Sequence, residues 1–203
     1  LSIGTGDVTG ESGSGPSTVN STGAVTSNTM TFSRLAVAAA ATVPAAALPN
    51  NATDFPVLRV RLQATAEAIS LTSLTLTSLA PASPAVDAEW GSEVTSISLI
   101  NDSDNDGVRD AGETVVATLN PTGTAPTIQF TGITGVQVPA GGYYYILVVV
   151  NTGKGTAGHA IRLSVATGAA AGSGAITAAP LNSTGTFNGY QMTFQSADGV
   201  LKI

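Results

Sequence analysis

Residues 94–119 read Val-Thr-Ser-Ile-Ser-Leu-Ile-Asn-Asp-Ser-Asp-Asn-Asp-Gly-Val-Arg-Asp-Ala-Gly-Glu-Thr-Val-Val-Ala-Thr-Leu. The two ends, Val94 to Ile100 and Thr114 to Leu119, are rich in β-branched residues and roughly alternate, which predicts strands. The middle, residues 102–113, fits the twelve-residue calcium loop at every side-chain position. Asp102, Asp104 and Asp106 fill positions 1, 3 and 5, and Gly107 fills position 6, where the chain turns sharply. Val108 offers its carbonyl from position 7, Asp110 sits at 9, and Glu113 supplies the carboxylate at 12. A hard cation with 6–8 oxygen ligands needs this spacing, because one short segment can wrap it only if alternate side chains turn inward. The strands on either side separate this loop from an EF-hand and remove the helix-opening of calcium sensors. The expectation is a Ca2+ staple between two strands.

The charge balance agrees. The chain has 13 acidic residues among 203, and five of them fall in this loop. Five carboxylates so close repel one another unless a cation sits among them. The plainer alternative is a surface Asp/Asn/Gly turn without metal, since such turns are common.

Composition narrows the class. Only 10% of the residues are charged, net charge is −6, and the seven Lys and Arg are not clustered, which makes nucleic acid a poor partner. Without cysteine there is no disulfide, thiol nucleophile or thiolate metal site. Leu1 is not an initiator Met, and the first 29 residues carry neither a basic n-region nor an apolar run, as expected of a mature or trimmed chain. The apolar stretch Leu35 to Leu48 is Ala-rich, interrupted by Pro44 and too short to span a bilayer. Simple calcium loops work where calcium is millimolar, which points to an extracellular or cell-surface location. Four glycosylation sequons, at Asn20, Asn51, Asn101 and Asn182, lend weak support to a secreted glycoprotein and to glycans as partners.

Along the chain, residues 1–29 are Gly, Ser and Thr with scattered apolar residues, which reads as an extended arm. Short β-like segments follow: Met30 to Ala38, Val57 to Ala66, Ile69 to Leu79, Val94 to Ile100, Thr114 to Leu119, Thr127 to Phe130, Tyr143 to Asn151, Ala160 to Ala166 and Tyr190 to Phe194. Turn signals separate most of them, including Gly168 to Gly174. The pattern predicts an all-β, Ig-like or jelly-roll-type β-sandwich over residues 30–203, preceded by the arm. Leu58, Val60, Leu62 and Ala64 alternate with Arg59, Arg61 and Gln63, which predicts one buried and one wet face. Tyr143 to Val150 is apolar on both faces, so it reads as a central strand whose outer side needs a cover from a loop, the arm or another subunit.

A repeat links the ends. Asn20-Ser-Thr-Gly, six residues, then Met30-Thr-Phe32 recurs 162 residues later as Asn182-Ser-Thr-Gly, six residues, then Met192-Thr-Phe194. These hold the only two methionines. The pattern suits one module plus the start of the next, or a subunit that adds successors head-to-tail.

The run Phe55-Pro-Val-Leu-Arg-Val-Arg-Leu, then Leu71-Thr-Ser-Leu-Thr-Leu, the calcium loop, and Val138-Pro-Ala-Gly-Gly-Tyr before a strong strand resembles β-sandwich modules of secreted prokaryotic surface proteins. The arm and the terminal repeat are similar, by analogy, to pilus-like extracellular filament subunits assembled by donor-strand complementation. That resemblance implies a structural subunit whose partners are copies of itself, with Leu1, Ile3 and Val8 as a candidate inter-subunit strand and Val19 and Val25 further along the arm. A second reading is a calcium-stabilised module that binds carbohydrate or a surface, using Trp90 with Tyr143 to Tyr145 as a stacking platform. Enzyme chemistry is not expected. His159 is the only histidine, and Glu67, Asp87, Glu89 and Glu93 are scattered carboxylates without a completed acid, base and orienting set.

Overall fold

The computed structural model describes residues 33–195, apart from 41–42, 44–45, 83–84 and 124–126, together with the backbone of four short strands within the first 32 residues. The chain divides into two compact units, Leu1–Phe32 and Ser33–Ile203. In the first, Ser2–Ile3 pairs antiparallel with Val25–Thr26, and Thr9–Glu11 with Thr18–Asn20. Ile3 of the candidate inter-subunit strand lies in the first of these pairs. Leu1 and Val8 lie outside the described residues.

The second unit is all-β and consistent with a β-sandwich, with no helix among the described residues. One sheet has five antiparallel strands in the order Val115–Leu119, Val94–Asn101, Tyr143–Thr152, Phe55–Ala64 and Leu35–Ala39. The two-faced apolar run is thus the middle strand, as its pattern requires. The second sheet is built on Ile69–Ser78. The pairing registers place Thr127–Thr131 and Gln137–Val138 along one side of it, and Leu163–Val165 and Ala170–Gly174 along the other. Pro180–Asn182 and Phe187–Asn188 extend this sheet. A four-stranded ribbon, Ala47–Leu48, Met192–Phe194, His159–Ile161 and Val86–Asp87, completes the unit.

The core lies between the two larger sheets. Val60, Leu62, Ile97, Leu99, Ile146 and Val148 of the first meet Leu71, Leu74, Leu76, Phe130, Leu163 and Val165 of the second, and all are buried. Period-two alternation along each strand selects these residues. On the outer face of the five-stranded sheet, Ile100, Leu147 and Val149 form a separate buried cluster against which Val43 packs. The cover over this part of the middle strand therefore comes from the same chain.

Three local expectations are corrected. Residues 168–174 are not simply a turn, because Ala170–Gly174 is a strand of the second sheet. Its small residues serve close approach. A Cβ on Gly172 would stand 2.5 Å from the Ser70 carbonyl oxygen and 2.8 Å from Ile69 Cγ2, and the pairing register shifts at this point. Ala160 to Ala166 is not one strand. It breaks at Arg162, so that His159–Ile161 pairs with the ribbon and Leu163–Val165 with the second sheet. Finally, the face bearing Arg59 is not wholly wet, since Arg59 is only 6% exposed.

Candidate metal centre

The loop begins where Val94–Asn101 ends, and the Asn101 amide donates to the Thr114 carbonyl (2.9 Å), closing its base. Asn105 (φ 61°) and Gly107 (φ 80°) both take the left-handed conformation that turns the chain. Asn tolerates it through local hydrogen bonding, and Gly has no Cβ to clash. Gly107 is required a second time. A Cβ there would lie 2.7 Å from Arg59 Cδ and 2.9 Å from Nε.

Arg59 explains how the loop is held. From Phe55–Ala64, across the middle strand from Val94–Asn101, its Nε donates to Asp102 Oδ2 (3.1 Å). Its Nη2 lies 3.0 Å from the same oxygen and donates to Asn105 Oδ1 at 2.7 Å. The Asp102 side chain is 0% exposed. The Asp102 amide donates to the Tyr145 carbonyl (3.2 Å), so the first loop residue is tied to the middle strand as well.

With Oδ2 of Asp102 occupied by Arg59, Oδ1 faces the loop and accepts from the Asp106 amide (3.1 Å). Asp104 Oδ1 accepts from the same amide (3.4 Å), and Asp106 Oδ1 accepts from Val108 N (2.7 Å). Ligand atoms of Asp102, Asp104 and Asp106 all lie within 4.8 Å of one another. At that distance each pair of like charges repels by about 3.5 kcal/mol at an effective dielectric near 20. Water and salt reduce the figure for exposed Asp104 and Asp106. An arrangement of this kind is relieved by a cation.

The structure brings the carboxylates of Asp102, Asp104 and Asp106 together. Glu113 is buried, with Oε1 accepting from Ser103 N (3.2 Å) and Oε2 from Asp110 N (3.1 Å), so its carboxylate ties the two limbs of the loop. Asp110 is exposed and its carboxylate is not in the close triad, and the Val108 side chain is exposed. Arg109 straps the second limb, donating from Nη1 to the carbonyls of Asp110 and Glu113 (both 2.6 Å), with Nε 3.9 Å from Asp54 Oδ2. Five carboxylates thus face two guanidinium groups. The residues fit an oxygen-loving cation in the first half of the loop. In the second half, Glu113 is engaged with backbone amides.

The other candidates separate clearly. Buried Glu67 accepts from Ser33 Oγ (2.7 Å), Ile176 N (2.7 Å), Thr177 N (3.0 Å) and Thr177 Oγ1 (2.6 Å). These bonds, led by the Thr177 hydroxyl, hold its pKa down to about 2. For Glu93, burial opposes ionisation. The donors around it, Glu89 N (2.8 Å), Thr156 and His159 Nδ1 (2.8 Å), outweigh that and keep its pKa below the ordinary value. A general acid needs a raised pKa. Both carboxylates instead act as anchors for turns. Trp90 is 7% exposed and belongs to the core, so it offers no stacking surface. Tyr143 is exposed, 6.3 Å from the Tyr145 ring, with the Arg61 guanidinium 5.0 Å from its centroid. Asn51 and Asn182 are exposed, Asn101 is half-buried at the loop entrance, and the Asn20 side chain lies outside the described residues.

Local pattern could not reveal Arg59, Arg109 and Asp54. The available signal was the scarcity of cations. With only seven in the chain and five carboxylates in one loop, a compensating Arg was to be sought on another strand of the sheet. No protein-family model matches the chain, and no curated protein matches it.

Proposed function

We propose that this chain is a structural subunit of an extracellular filament or surface layer, a β-sandwich bead stapled by calcium and joined head-to-tail to copies of itself by β-strand donation. The observation that carries the reading is the terminal repeat set against the fold. The C-terminal Met192–Phe194 is an integral strand with Met192 and Phe194 buried, pairing with His159–Ile161 and with Ala47–Leu48. The head of the chain carries the same Met-Thr-Phe behind the same Asn-Ser-Thr-Gly. It therefore holds a second version of a segment this sandwich is built to accept. Strand addition of that kind turns a sheet edge into a joint, and a contact that does not close on itself makes a fibre.

The loop fits a structural role. Arg59 and the Tyr145 carbonyl lash it to the two central strands, so a bound cation would add stiffness at the middle of the sheet. When bound, calcium supplies positive charge among Asp102, Asp104 and Asp106, while Glu113 and Arg109 hold the limbs closed. A carbohydrate-binding role keeps only Tyr143 and Tyr145, since Trp90 is in the core. Electron microscopy of the purified full chain in millimolar calcium tests the proposal. Long fibres of uniform repeat are expected, and monodisperse particles at all concentrations would refute assembly.

A further inference from the structure

The likeness between head and tail extends well beyond the two short motifs. Residues 1–32 align with residues 163–194 without a gap at the same offset of 162, with 12 identities. The folds agree as well. The first unit's described pairings are Ser2↔Thr26, Ile3↔Val25, Thr9↔Asn20, Gly10↔Val19 and Glu11↔Thr18. Adding 162 to each gives Ser164↔Asn188, Val165↔Phe187, Ala171↔Asn182, Gly172↔Leu181 and Ser173↔Pro180, all of which are pairings of the sandwich. The described pairings of the two segments therefore share one register.

In the sandwich this segment forms the outer strands on one side of the second sheet and gives Met192–Phe194 to the interior of the ribbon. Leu163–Val165 and Ala170–Gly174 add to Ile69–Ser78, and Thr184 exchanges backbone bonds with Leu35 and Val37 (both 2.9 Å). We infer that residues 1–32 are a second version of this segment, and that their partner is the frame formed by residues 33–162 of another copy whose own 163–194 segment is displaced. The inference deepens the head-to-tail reading and rests on it for the biological setting. It replaces a single donor strand at Leu1, Ile3 and Val8 with a four-strand donor.

Several positions that touch the frame are retained. Gly172 lies against the Ser70 carbonyl and Gly185 (φ 96°) against the Val37 carbonyl, where any Cβ would collide. Their counterparts are Gly10 and Gly23. Buried Leu163, Ser183, Met192 and Phe194 correspond to Leu1, Ser21, Met30 and Phe32. By contrast, exposed residues 175–180 are all different in the head copy. Three frame contacts depart: Gly189, where a Cβ would lie 2.8 Å from Leu58 Cδ1, is Ser27, buried Ala170 is Val8, and the change beside Glu67 is offset. Gly174, beside Glu67, is Ser12 in the head, while Thr177, whose hydroxyl donates to Glu67, is Gly15. A hydroxyl is lost at one position next to Glu67 and gained at another. A polar linker under no packing constraint has no reason to keep glycine at the two positions where the Ser70 and Val37 carbonyls would press.

The test grafts the sequence of residues 1–32 in place of 163–194 in the full chain. The chimera is expected to unfold in one cooperative transition with Trp90 still buried by fluorescence, whereas a graft of the same 32 residues in scrambled order loses that transition. A second variant covers failure of the graft for unrelated reasons. G172V/G185V disables the chain's own 163–194 segment, so head units fill vacant frames and light scattering reports oligomers in place of monomer. Adding G10V/G23V abolishes them. A chimera without a cooperative transition, together with G172V/G185V chains that never associate, overturns the inference. Fibres from the unmutated chain alongside that result would leave the filament reading standing and move the joint elsewhere. A folded chimera without fibres would do the reverse.

Discussion

Replacing Arg59 by Met removes the guanidinium and keeps most of the side chain's length. The structure sets the scale of the effect. The ion pair is 3.0 Å long between side chains that are 6% and 0% exposed. At an effective dielectric near 20, its gross attraction is about 5.5 kcal/mol. The net worth is smaller, because both groups were desolvated to form it. Removing one partner of a buried pair nonetheless leaves the other charge stranded, at a cost of about 3–5 kcal/mol. The lost bond to Asn105 adds little, since Asn105 is exposed and can bond to water. In a unit of this size 1 kcal/mol moves the midpoint by about 2–4 °C, so Arg59→Met should lower it by roughly 6–20 °C in chelator. Trp90, the only tryptophan and part of the core, reports the transition by fluorescence. Arg59→Met combined with Asp102→Asn removes both charges and should recover most of the loss, because neutral pairs of similar volume replace buried ion pairs at little cost. In calcium the single variant should lose less than in chelator, since the cation takes over part of the compensation of Asp102. A single variant as stable as the parent in chelator, or a double variant no better than the single, would refute Arg59 as the anchor.

Two further outcomes follow from burial and charge. Leu147→Asp and Val148→Asp each bury an unpaired charge, on opposite faces of the middle strand, and both should cost more than about 4 kcal/mol by denaturant titration; tolerance at Leu147 alone would mean that Val43 does not seal the outer face. The Glu67 carboxyl is held near pKa 2 against 4.5 for the free group, so its contribution is fully present above about pH 4.5 and is lost as pH falls through 2. Stability should therefore decline over that acid range, and Glu67→Gln should lower stability at neutral pH while flattening the decline. An unchanged pH profile in the variant would contradict the anchoring of residues 176–177.

Strands carrying β-branched alternation were legible from the sequence because burial of one face imposes period two. Tyr143–Thr152 was legible as central because both of its faces are apolar. Ala170–Gly174 was not, since a strand made of Ala, Gly and Ser has the composition of a turn. Its Gly172 answers to Ser70 and Ile69, and its Gly174 to Glu67, a hundred or so residues earlier in the chain. Two-residue strands such as Ala47–Leu48 carry no periodicity to read. Arg59 shows the limit best. Alternation assigns it to the outer face, but only the fold shows that the loop 43 residues later covers that face. Asp102, Asp104 and Asp106 were legible as a cluster because their spacing is local. The tie from Glu113 to the amides of Ser103 and Asp110 required the folded loop.

The staple is tested most directly by titrating calcium into the full chain from chelator, following heat and the Trp90 melting transition together. One calcium per chain is expected. The stabilisation should grow with free calcium by mass action, reaching about 2.7 kcal/mol at a hundredfold excess over Kd. Asp104→Ala combined with Glu113→Gln should abolish both signals. A chain that takes up no calcium, with a melting curve identical in calcium and chelator, would contradict the account.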